Sequence, residues 1–131
     1  MSIKKLFDGC QKMLQSINSV PENVVVTAVP TFDDLIADVR QWGDDRLITK
    51  NSTPQAQLLK CMSELGELAD GTLKKNKREM MDGLGDVLVT LIMYAETAEL
   101  CPWECLALAY NEIKDRKGHL TPEGVFVKEE A

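Results

Sequence analysis

The chain has 131 residues, with 21 acidic side chains against 15 basic ones and a formal net charge of −6. That length fits one domain with its own hydrophobic core, and the acidic balance argues against nucleic acid or an anionic membrane as a partner, since both select basic surfaces. The four cysteines form no CxxC pair and there is a single histidine, which argues against a structural zinc site and for small buried hydrophobes in a reducing compartment.

In chain order, Ile3, Leu6, Phe7, Cys10, Met13, Leu14 and Ile17 give Ser2 to about Ser19 the period of an amphipathic helix. The start, MSIKKLFDGC, lacks the apolar core of a signal peptide, and no stretch has the length of a membrane span, so a cytoplasmic location is expected. Asn23 to Val29 is β-branched and reads as an extended arm. Residues 1–30 are thus a helix plus arm, and residues 31–131 the main helical domain.

Thr31 followed by Asp34 is a capping-box pattern that starts a helix with Leu35, Ile36, Val39 and Trp42 on its apolar side, ending near Arg46. Thr53 before Pro54 starts the next helix, running to about Lys74. Another follows from about Lys77 to Leu100. The short connection between them predicts an antiparallel hairpin. Pro102 opens a last helix carrying Trp103, Leu106, Leu108, Ala109, Tyr110 and Ile113, which stops in the run Lys114-Asp115-Arg116-Lys117-Gly118. Thr121 to Gly124 is a turn, and Val125 to Val127 a short apolar patch to be packed down or used in assembly.

The hairpin carries two acidic clusters, Glu64-Leu65-Gly66-Glu67 and Asp82-Gly83-Leu84-Gly85-Asp86. Spacings of three and four residues put each pair of carboxylates on one helix face, and the clusters lie at about equal distances from the turn. Glu64 and Glu67 fall opposite the stripe Leu58, Met62, Leu65, Ala69 and Leu73, where they are either solvated or ligands. From Leu84 to Tyr94 the chain is apolar nearly all round, the pattern of a fully packed helix, with Asp86 its only carboxylate. An unpaired carboxylate so placed costs on the order of several kcal/mol. Glu64, Glu67, Asp82 and Asp86 converging on a divalent metal would remove that cost. Oxygen ligands without His or Cys suit Mg²⁺, with Mn²⁺ as a substitute, and such ions commonly act on phosphates.

Asn111, Lys114, Arg116 and Lys117 can meet a polyphosphate, or simply complement a helix C-terminus. Trp42 can stack on a nucleobase, or pack in a core or interface. No glycine-rich phosphate loop, nucleophile elbow or Ser/His/Asp set is present in the sequence.

The segments QWGDDRLI (41–48), TPQAQLLKCMSELGELADG (53–71), DGLGDVLVTL (82–91) and AYNEIKDRKGHLTPEGVFVKEE (109–130) together resemble the MazG-like nucleotide pyrophosphohydrolases, in their short, often phage-encoded, single-domain form. The resemblance implies an all-α, four-helix-bundle fold assembling as a dimer or dimer of dimers. It also implies Mg²⁺-dependent hydrolysis of (deoxy)nucleoside triphosphates to the monophosphate and pyrophosphate, for house-cleaning or pool adjustment, in the host cytoplasm if phage-encoded. The family signature is Glu-x-x-Glu on one helix and Glu-x-x-Asp on the next. Glu64, Glu67 and Asp86 match and are the expected catalytic residues. Gly83 stands where the remaining Glu is expected, so Asp82, one residue earlier, is carried over as the substitute ligand. Asn111 and Lys114 match residues that face the phosphates, with Arg116 and Trp42 completing the expected substrate contacts. A strict dUTPase, a dCTPase, a phosphoribosyl-ATP hydrolase and a non-catalytic helical oligomer that keeps the fold are all compatible with these residues. So is a partner-binding factor working through residues 1–30.

Overall fold

The structure is a computed structural model and describes residues 30–129, all but the first of which fall in the unit Thr31–Ala131. The amphipathic helix and extended arm expected before Pro30 lie outside the described residues.

Among the described residues five helices and a small hairpin follow one another: α1 (Phe32–Asp45), α2 (Ile48–Asn51), α3 (Pro54–Leu73), α4 (Lys77–Thr97), α5 (Pro102–Ile113), β1 (Gly118–Leu120) and β2 (Phe126–Lys128). The starts are those the sequence encodes. The Asp34 amide donates to the Thr31 hydroxyl at 3.1 Å, and the Thr31 amide donates back to the Asp34 carboxylate at 2.9 Å, a complete capping box. The Thr31 hydroxyl, donating to the Asp34 carboxylate at 2.7 Å, and after it the Thr31 amide hold that carboxyl below its ordinary range. Thr53 caps α3 by accepting from the Ala56 amide, with Pro54 in the first turn. Asn76 caps α4 by accepting from the Arg78 and Glu79 amides. Between α3 and α4, Lys75 turns the chain at a φ of 56°.

The α3–α4 hairpin is the centre of the fold, and α1 packs against α4. Ile36 of α1, Cys61 of α3 and Val87, Ile92, Met93 and Ala95 of α4 form the buried core. Arg40 of α1 pairs with Glu96 of α4 at 2.5 Å. α5 buries none of its residues, and its Trp103 indole donates to the Asp33 carboxylate of α1 at 2.8 Å.

Three expectations change. The stripe Leu58, Met62, Leu65 and Leu73 is exposed, because α3 turns Cys61, Glu64 and Gly71 inward instead. Helix α4 is not packed all round: Leu84, Leu88 and Leu91 are exposed along one side, and Asp86 is exposed as well. The apolar patch Val125–Val127 contributes to a strand. β2 pairs antiparallel with β1 in the register His119 opposite Val127, around a turn at Gly124. The described residues are therefore helical with one small β-hairpin, and the fourth long helix, α5, stays exposed along its length.

Candidate metal and nucleotide site

On the flank of the hairpin turned toward α1 lies a cleft of about 720 Å³. Its polar wall is Asp38 of α1, Gln57, Lys60 and Glu64 of α3, and Asp86 of α4. Trp42 and Met93 are among its apolar walls. The antiparallel register explains why Glu64 and Asp86 meet there, since residues equally far from the turn stand at one level. One level nearer the turn, Glu67 and Asp82 share a smaller recess of about 170 Å³ with Asp70 and Glu79. The hairpin thus has an acidic flank. Its apolar stripes, Leu58-Met62-Leu65 and Leu84-Leu88-Leu91, lie on the opposite sides of the same helices.

The buried carboxylate is Glu64, at 5 % exposure, rather than Asp86. Its Oε1 pairs with the Lys60 ammonium four residues earlier. Glu64 above all, with smaller contributions from Glu67 and Asp86, raises the affinity of Lys60 for its proton above that of an ordinary lysine. At the turn end of the flank, Lys74 pairs with Asp70 at 2.5 Å and lies 3.7 Å from Glu79. Asp70, in first place, likewise raises the Lys74 pKa.

Among the described residues, no three acidic, cysteine or histidine side chains are already drawn together closely enough to hold a metal. The donor chemistry nevertheless suits a hard divalent cation. The donors are all carboxylate oxygens, and the most buried of them, Glu64, is already balanced by a cation. Glu64 and Asp86 line the larger recess, and Glu67 and Asp82 the smaller one.

Gly83, the position where the family signature has Glu, faces α3 instead of the acidic flank. A Cβ there would stand 2.9 Å from the Leu68 Cα and 3.1 Å from its amide nitrogen. The missing Glu is thus a packing requirement of this hairpin.

Trp42 is 40 % exposed. The Arg46 guanidinium lies 4.8 Å from its ring centroid and donates to the Trp42 carbonyl at 3.3 Å, which steadies the indole on the cleft wall. Asn111, Lys114 and Arg116 are exposed, and none of them lines the cleft. Lys114 is the C-cap of α5 rather than a residue of its last turn.

Sequence reasoning missed Asp38, Lys60, Asp70 and Glu79. Signals existed: Asp38 is four residues before Trp42, Lys60 four before Glu64, and Asp70 three after Glu67, so each shares a helix face with a residue already singled out.

No protein-family model matches the chain. Over 65 residues it is 39% identical to an uncharacterized 18.2 kDa protein from the rep–hol intergenic region of Haemophilus phage HP1, a match covering 50% of this chain and 40% of the phage protein. The matched region thus spans less than half the length of that relative. The fold is similar to that of the cyanophage S-2L MazG-like pyrophosphohydrolase, solved bound to dGDP and three catalytic Mn²⁺ ions per active site. The TM-score is 0.58 at 15% identity, over 78% of this chain and 96% of that one. At such identity the likeness is one of fold. Among the described residues, no helix is long and apolar enough to cross a membrane.

Proposed function

We propose that the chain is a Mg²⁺- or Mn²⁺-dependent nucleotide pyrophosphohydrolase that cleaves (deoxy)nucleoside triphosphates to the monophosphate and pyrophosphate. The observation that carries this is the meeting of Glu64 and Asp86, from two helices, with Trp42 on the walls of one cleft. Support comes from the fold's likeness to a MazG-like pyrophosphohydrolase whose structure holds a nucleoside diphosphate and Mn²⁺.

In this reading Glu64, Glu67, Asp82 and Asp86 hold the cations. Bound divalent ions supply charge neutralisation at the phosphates and a readily deprotonated water. A water attacks the α-phosphorus, the P–O bond to the β-phosphate breaks, and pyrophosphate leaves with that electron pair. The attacking water's proton goes to a carboxylate of the set Glu64, Glu67 and Asp86. Trp42 stacks on the base and sets the distance from base to phosphates. Asn111, Lys114 and Arg116 meet the leaving pyrophosphate. None of them lines this cleft, so their part requires the end of α5 of a neighbouring subunit or a movement of their own. The exposed apolar flank suits a homodimer or dimer of dimers.

Product analysis on a panel of dNTPs and NTPs, with Mg²⁺ and with Mn²⁺, tests this. Monophosphate and pyrophosphate from the parent, absent with Asp86→Asn, are expected. No turnover of any nucleotide would leave the fold serving as a non-catalytic helical oligomer.

A further inference from the structure

We propose, on the functional reading just given, that Lys60 is a built-in stand-in for the metal, an ammonium that neutralises Glu64 until a divalent cation displaces it. Glu64 is almost fully buried, and a carboxylate so placed needs a cation partner, because burial disfavours its charge. Lys60 supplies one through its ion pair with Glu64 Oε1. The pair is lopsided. The Glu64 side chain is 6 % exposed and that of Lys60 59 %. An ordinary pair at this spacing has both ends in water, whereas here the acidic end is buried and walls the cleft.

Among the described residues, Lys60 is the sole cation on the cleft wall, facing Asp38, Glu64 and Asp86. A divalent ion taken up by Glu64 repels an ammonium a few ångströms away. The flexible four-carbon stem, largely in solvent, lets the ammonium leave without disturbing α3. Lys60 therefore stabilises the metal-free protein and opposes metal binding by competing for Glu64.

Mn²⁺ alone, titrated calorimetrically at low ionic strength into the full chain, Lys60→Met and Lys60→Arg, tests the proposal, with melting curves recorded with and without Mn²⁺. Lys60→Met keeps the stem and removes the charge. It should bind Mn²⁺ about fivefold or more tightly than the parent, the scale of removing one nearby like charge. It should also melt lower without Mn²⁺ and gain more from adding it. Lys60→Arg keeps a cation and should bind Mn²⁺ like the parent. If Lys60→Met does not fold without metal, Lys60→Gln carries the same comparison. Equal or weaker Mn²⁺ binding by the uncharged variants overturns the proposal, as does equal tightening in Lys60→Arg, while parental Mn²⁺ binding leaves the functional reading standing. No Mn²⁺ binding by any of the chains overturns both.

Discussion

Gly83 of α4 rests directly on the backbone of Leu68 in α3, where a Cβ would stand 2.9 Å from the Leu68 Cα. This close approach lets the two helices pack tightly enough for Glu64 and Asp86 to wall one cleft and Glu67 and Asp82 the next. Alanine would bring a helix-propensity gain of about 1 kcal/mol. Against that, forcing a methyl group onto backbone that cannot move aside costs about 1–3 kcal/mol. Gly83→Ala is therefore expected to lower stability in urea denaturation. Gly83→Glu, which introduces the residue of the MazG-like signature, is expected to lower it further and to give no gain in turnover.

The two central carboxylates should separate by burial. Asp86 is exposed and has no ion-pair partner among the described residues. Asp86→Asn should keep its stability within about 0.5 kcal/mol, as surface substitutions usually do. Turnover should fall on the order of 10²-fold or more, the scale of losing one preorganised electrostatic contact. Glu64→Gln removes the buried charge and frees Lys60 into water. Its melting temperature without metal should hold while the rise on adding Mn²⁺ is lost. Thermal melts of both variants, with and without Mn²⁺, check this, and a collapse of Asp86→Asn would show that Asp86 has a structural role.

Trp42 offers its indole to the cleft, with Arg46 against the ring. If the base stacks there, Trp42→Ala forfeits about 1–3 kcal/mol of binding, the usual worth of a base–aromatic stack. KM should then rise about tenfold or more with kcat little changed, and Trp42→Phe should recover most of the loss. Steady-state kinetics on the preferred nucleotide decides. An unchanged KM would assign Trp42 to packing alone.

Much of this was legible in the sequence because it is local. Thr31 with Asp34, Thr53 with Pro54, and the equal spacing of the acidic clusters from the turn each involve residues a few positions apart, and local geometry fixes what they do. Burial was less legible. Asp86 sits in an apolar run and reads as buried, yet it is exposed, while Glu64 beside polar neighbours is covered. Which face a helix buries is set by its partners, and an α4 that is apolar on several sides offers more than one choice. The role of Gly83 was hidden for the same reason, since only the position of Leu68 shows why a side chain is excluded.

The start of α1 makes a separate expectation about acid. Hydrogen bonds from Thr31 hold the Asp34 carboxyl below its ordinary range, so the folded chain binds that proton less readily than the unfolded chain. Its contribution is present above the unfolded value and is lost as pH falls through the folded one. Thr31→Ala should cost about 1 kcal/mol at neutral pH, as for other N-caps, and the gap to the parent should narrow in acid below the ordinary carboxylate range. Melting curves of both chains across that range test it. A gap that widens in acid would contradict the assignment.

The apolar flank makes the last expectation. Leu65 and Leu84 are 49 % and 52 % exposed, on the sides of α3 and α4 turned away from the carboxylates. Met62 and Leu58 on α3 and Leu88 and Leu91 on α4 extend the same stripes, an amount of exposed apolar surface that a monomer would rarely leave in water. A second copy laid against it by two-fold symmetry would bury both stripes twice over, while leaving each acidic flank open to nucleotide. The parent should therefore run as a dimer or larger at micromolar concentration in size-exclusion chromatography with light scattering. The pair Leu65→Lys with Leu84→Lys should shift it to monomer, because each copy would bring two charges into an apolar contact. If Asn111, Lys114 and Arg116 act across subunits, that monomer should keep its Mn²⁺ binding and lose turnover. A parent that runs as a monomer would remove the assembly and would leave movement of its own α5 as the way those residues reach the phosphates.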